Sequence, residues 1–204
     1  VLWGFLNKQD WAWLWGAVAA TILLLAGFFP MIPAADSGLP VPTMWVFLLA
    51  AIMWFGMLFV GGVSGKIITL TFIAGLAYVL TFIDGVAPFS KFQTTFQTPT
   101  TFVENANTFW NGMYVILQEV SWWGAAGWAI FIFDTIKKRS WAIPVGIFAA
   151  SMSMLAGYPL GLHNVAEVQR FSMFLPAPLM STGLLIYLLL PGTKKMLEAW
   201  NATR

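Results

Sequence analysis

A glutamate inside a long apolar run is the residue of this chain best placed to do chemistry. Glu119 lies fifteen residues before Asp134, about 22 Å along a helix at 1.5 Å per residue. The residues around it read as a segment that crosses hydrocarbon. An ionisable group at that depth is costly unless it is protonated, paired or turned toward a wet cavity, so it is a functional candidate by default. Gln118 adds a polar group on a neighbouring direction. The plain alternative is a glutamic acid hydrogen-bonded to an adjacent helix for packing alone. Asp84, Glu104, His163, Glu167 and Arg170 gather toward the same side of the apolar segments. His163, Glu167 and Arg170 are spaced i, i+4 and i+7, and share one face if a helix begins near Asn164, a residue type suited to an N-cap. On the structural reading they are a helix start with a Glu–Arg pair. On the functional reading they rim an outward-facing pocket, with Glu119 as its deep member and Asp84 as a contributor. Histidine is the side chain suited to shuttling a proton there near neutral pH.

Other chemistries are excluded by what the chain lacks. It has no cysteine and one histidine, which removes disulfides, thiolate catalysis, Cys-ligated metals and a haem held by two imidazoles within one copy. No lysine sits inside an apolar segment to form a buried Schiff base. Gly62-Val63-Ser64-Gly65 copies a short glycine–serine protease pattern, but Ser64 and His163 fall at opposite ends of the apolar segments, too far apart for a nucleophile and its base. Met53 and Met57 read as gap-filling side chains rather than soft-metal ligands. A net charge of +2 with thinly spread basic residues leaves no nucleic-acid footprint. No cofactor follows from the residues.

The elements that must position these groups are apolar helices. Hydrophobic residues make up 59% of the 204 residues and charged ones 9%, the balance of a membrane protein and not of a soluble domain. Six segments approach the roughly 20 residues a helix needs to span hydrocarbon: Trp11–Ile32, Thr43–Val60, Lys66–Val86, Asn111–Phe133, Trp141–Leu160 and Val168–Leu190. The first is too long for a plain signal peptide. Gly61-Gly62 marks a tight turn. Pro176 and Pro178 fall inside the sixth segment and Pro159 at the end of the fifth, which predicts kinks at one level. The Pro88–Thr108 connection, with Phe89, Phe92, Phe96 and Phe102, is expected to pack back onto the bundle as a lid or interfacial helix. Most of the twelve tryptophans cluster at segment ends, as an interfacial belt does. A three-plus-three repeat has only Trp15-Gly16-Ala17 and Trp123-Gly124-Ala125 to suggest it.

The expected fold is therefore all-α, a single polytopic domain over residues 1–204 with six transmembrane helices and a kinked sixth. Lys8, Lys66, Lys137-Lys138-Arg139 and Lys194-Lys195 then fall on one side, which the positive-inside bias makes cytoplasmic, with both termini inside. The leading functional reading is an integral membrane subunit or scaffold of a larger assembly. It would hold a lipid, quinone or pigment-like apolar ligand near its outer side. Its partners would be membrane lipid and other membrane subunits or further copies of itself, and no nucleic acid. A small proton-coupled transporter using Glu119, and an outer-leaflet membrane enzyme, are the alternatives. Both draw their main support from Glu119 facing the bundle interior, in a cavity bounded by the fifth and sixth helices, and the enzyme would use Glu119 or His163 as general base.

Overall fold

The computed structural model describes residues 1–36, 38–41, 43–97 and 109–202, with side chains throughout except at 10, 33, 35, 36, 88–97, 111, 167 and 168. Every regular element among them is a helix. Packing divides the chain into two compact units, Val1–Leu70 and Thr71–Arg204.

The first unit contains α1 (Leu2–Leu6), α2 (Asp10–Phe28), α3 (Met31–Asp36) and α4 (Met44–Val60), and α5 (Gly65–Gln97) begins in it. Its core is the pairing of α2 with α4. Ala12, Gly16, Ala20 and Gly27 are buried along one side of α2. In lipid there is little hydrophobic drive between helices, so small residues that let backbones approach supply the contact. Gly27 shows the fit: a Cβ there would lie 2.7 Å from the Phe47 nitrogen, while the Phe28 and Phe47 rings pack at 5.2 Å. Trp13 Nε1 donates to the Met57 carbonyl at 2.6 Å. The expected glycine turn closes α4. Gly62 takes φ 76, and Val63 donates its N–H to the Leu58 carbonyl at 3.1 Å.

The second unit holds the rest of α5 with α6 (Phe109–Ile136), α7 (Ala142–Val168), α8 (Pro176–Leu189) and α9 (Pro191–Ala202). Glycines again set the register. A Cβ on Gly124 of α6 would meet the Ser153 nitrogen of α7 at 3.0 Å, and one on Gly157 of α7 would meet the Pro178 ring of α8 at 2.7 Å. Gly161 packs on Leu175 and Gly146 on Leu188, so α8 runs antiparallel along α7. Residues preceding a proline favour extended backbone, and Leu190 (φ −65, ψ 136) ends α8 that way before Pro191. The chain then turns by 74° into α9. Trp200 Nε1 of α9 donates to the Thr135 carbonyl at 2.8 Å, which brings α9 to the Lys137–Arg139 end of the unit.

Among the described residues four helices are long and apolar enough to cross a membrane, or five if the bent α8–α9 pair counts as one span. The expected six is not reached by that measure. The 17 residues of α4 measure about 26 Å, and the 14 of α8 about 21 Å, against about 30 Å of hydrocarbon. The expected sixth helix also differs. Pro176 and Pro178 do not kink a continuous helix; they occupy the first turn of α8, where a missing N–H breaks no intrahelical bond. The fifth segment runs past Leu160 to Val168 with Pro159 inside it, so Asn164 is interior helix and not an N-cap. α7 stops instead at left-handed Gln169 (φ 54), whose amide Nε2 donates to the Ala166 carbonyl at 3.0 Å. α5 likewise continues beyond Val86 to Gln97. The rest of the Pro88–Thr108 connection, with Glu104, lies outside the described residues.

Candidate functional site

Three hydroxyls join three helices in the middle of the second unit. Thr81 Oγ1 on α5 lies 2.8 Å from Ser153 Oγ on α7, and Ser181 on α8 donates to the same Ser153 oxygen at 2.8 Å. None of the three is more than 1% exposed. The fourth helix makes room for them, because Gly124 of α6 would bring any Cβ to 3.2 Å from the Thr81 methyl. A hydroxyl both donates and accepts, so these groups satisfy one another where no water is needed.

Asp84 stands one turn farther along α5, three residues from Thr81 and on the same face. It is 2% exposed. Among the described residues its Oδ2 has no hydrogen-bond partner, and neither has Ser121 Oγ on α6, which is 0% exposed. Gly85 presses this stretch of α5 onto α6. A Cβ there would collide with the Trp122 indole and lie 3.3 Å from the Ser121 Cβ. Trp122 in turn stacks on Phe82 with centroids 6.4 Å apart, and Phe82 on Tyr78 at 6.4 Å, so aromatic rings wall one flank. On α8 the residue three before Ser181 is Pro178. The first turn of that helix, whose Pro176 and Pro178 carry no N–H, therefore comes at the depth of Asp84. A carboxyl and a hydroxyl at one buried level can hold a proton or, when the carboxyl is ionised, a small cation.

The residues expected from sequence are not brought together in one place. Glu119 does not face the interior: it is exposed on α6, while its neighbour Gln118 is 8% exposed. One residue is a turn of about 100° around a helix, and it moves the carboxyl from inside to outside. His163 lies on α7 rather than in a loop, stacked on Trp110 of α6 with centroids 3.6 Å apart and planes 10° from parallel. Tyr114 joins that cluster at 6.1 Å. His163 is ten residues beyond Ser153, roughly 15 Å along α7, whereas Asp84 is about 4.5 Å beyond Thr81, so the two belong to different levels. Glu167 is in the last turn of α7, its side chain outside the described residues, and Arg170 is exposed just past the Gln169 cap. Ser121 and Ser153 have no place in the sequence-derived set. A hydroxyl recurring at helical spacing with Asp84 and Thr81 was the available signal.

The helices and this buried polar layer are the make-up of a multi-pass integral membrane protein. No protein-family model, curated protein or solved structure matches the chain.

Proposed function

We propose that the second unit carries a proton or a small monovalent cation through the membrane on Asp84, and that the chain is a small cation-coupled transporter. The observation that carries this reading is the buried Asp84 carboxyl, whose Oδ2 has no hydrogen-bond partner among the described residues. A carboxyl inside a membrane bundle must be compensated by a proton, a cation or donors. The hydroxyl layer Ser181–Ser153–Thr81 lies one turn away and keeps polar oxygens between the helices. Asp84 thus takes the place that sequence gave to Glu119. No paired nucleophile and base among the described residues supports the outer-leaflet enzyme. Both termini are assigned to the cytoplasm on the basic residues.

Flux measurements test this. The purified chain in liposomes is given an imposed proton gradient or sodium gradient, with an internal pH dye and a sodium tracer as readouts. Wild type dissipates one of the gradients. Asp84→Asn, checked for folding by size exclusion, slows flux by roughly tenfold or more because the replacement no longer titrates, while Glu119→Gln does not. Wild-type flux in Asp84→Asn, or none in the wild type, defeats the proposal.

A second reading, a subunit of a larger membrane assembly, is favoured by Glu119. An ionisable side chain on the outer face of α6 is costly against lipid, and a second copy of the chain would cover it. The lipid, quinone or pigment-like ligand of the scaffold reading would then lie in that interface.

A further inference from the structure

We infer that the turn between α6 and α7, together with the end of α9, is a binding site for the phosphate of an anionic lipid headgroup. A cavity of about 350 Å³ there is lined by Lys138, Arg139, Ser140, Trp141 and Asn201. At roughly 30 Å³ of liquid per water, it has the volume of about a dozen waters, enough for a phosphodiester. Among the described residues its lining offers two cations, a hydroxyl and an amide and no carboxylate, so it selects an anion rich in oxygens.

The site is built rather than a loose basic patch. Asp134, 6% exposed, holds Arg139 at 3.4 Å through one nitrogen and leaves the other guanidinium donors available. The Arg139 side chain is 53% exposed. Lys138 Nζ lies 4.3 Å over the Trp200 ring, and Trp200 is itself fastened to the Thr135 carbonyl. Arg139 is thereby set in place by a buried carboxylate and Lys138 by a half-buried indole. α9 forms the other wall. Its Thr193 and Leu197 are buried and its Lys194, Lys195 and Glu198 are exposed, the arrangement of a helix lying along a membrane surface.

Position chooses between the sources of phosphate. The cavity sits where the candidate spans Gly112–Ile136 and Ala142–Ala166 emerge, which is headgroup depth. Trp141 at its lip is 68% exposed and is a residue type that settles at the interface. Basic pockets between helix ends on the cytoplasmic side suit anionic headgroups, and the proposed orientation puts this end there.

Native mass spectrometry of the full chain in mixed micelles tests the site with phosphatidylglycerol, phosphatidylcholine or inorganic phosphate added. The wild type is expected to retain one phosphatidylglycerol at concentrations where phosphatidylcholine is lost, with inorganic phosphate unable to displace it. Lys138→Gln weakens retention roughly tenfold. Arg139→Gln exposes Asp134 to a loss of its partner and risks the fold, so Ser140→Leu is the second variant: it fills the cavity and leaves every charge. Retention undiminished in Ser140→Leu means diffuse attraction and overturns the site. Equal retention of the two lipids overturns the anion preference, and displacement by inorganic phosphate overturns the lipid as its source.

Discussion

Ser153 joins three helices through two hydrogen bonds, so its removal measures what the buried layer contributes. Ser153→Ala leaves Thr81 and Ser181 with hydroxyls facing a methyl group. Interhelical hydrogen bonds in membrane bundles average about 0.6 kcal/mol and reach about 1.7, so the loss of two should cost about 1–2 kcal/mol in detergent-induced unfolding. Ser151→Ala is the matched control. Its hydroxyl donates to the Ile147 carbonyl of its own helix at 2.9 Å, and removing such a bond should change stability by less than about 0.5 kcal/mol. Equal effects in the two variants would deny the layer a role in holding the helices. At this scale the sequence was half legible. Asp84 stood out as an acid near an apolar segment, and so did Glu119, but the side of the helix each faces did not. A helix apolar all round has no polar stripe to show which face is inward. Depth alone therefore ranked Glu119 above Asp84, and Ser153 had nothing to set it apart from other serines in apolar runs.

Helices were legible as elements because length and hydropathy set them, whereas their ends depended on local bonds that composition does not show. Gln169 closes α7 with its own amide, a role that no glycine or proline marks, so the fifth helix reads as ending too early. Pro176 and Pro178 were expected to kink a sixth helix, and instead they stand in its first turn, where a proline is easily borne. α8 and α9 then follow the bundle from Gly161, against Leu175, to Thr135, against Trp200. That path carries the chain from one end of the second unit to the other in two pieces. Labelling from outside intact cells checks the consequence, in a chain that has no cysteine to remove. Cysteines introduced at Lys137 and at Lys195 are expected to react with an impermeant maleimide only after permeabilisation, and one at Arg170 before it. Opposite reactivity of positions 137 and 195 would mean that α8 and α9 do not complete a crossing, and external labelling of both would invert the orientation.

Across the whole molecule, exposed apolar side chains are what a lipid solvent requires, and the departures from that rule are where other partners belong. On α6, Ile116, Trp123 and Ile130 are 56%, 63% and 51% exposed, and their spacing of seven residues places them along one outward face. Glu119 interrupts that face. Neither composition nor average hydropathy distinguishes such a face from one that meets only lipid. A second copy meeting the chain here would shield Glu119 from hydrocarbon and let its carboxyl share hydrogen bonds across a symmetric contact, in which the same patch serves both partners. Oxidative cross-linking of Glu119→Cys in native membranes tests this, because a disulfide forms only where Cα atoms approach within about 7 Å. A covalent dimer is expected from Glu119→Cys and from Ile130→Cys. None is expected from Leu155→Cys, which is 64% exposed on α7 and so serves as a lipid-facing control. A dimer from position 155 as readily as from 119 would mark random collision. A monomer from both 119 and 130 would leave α6 facing lipid and remove self-assembly as the reason for its glutamate.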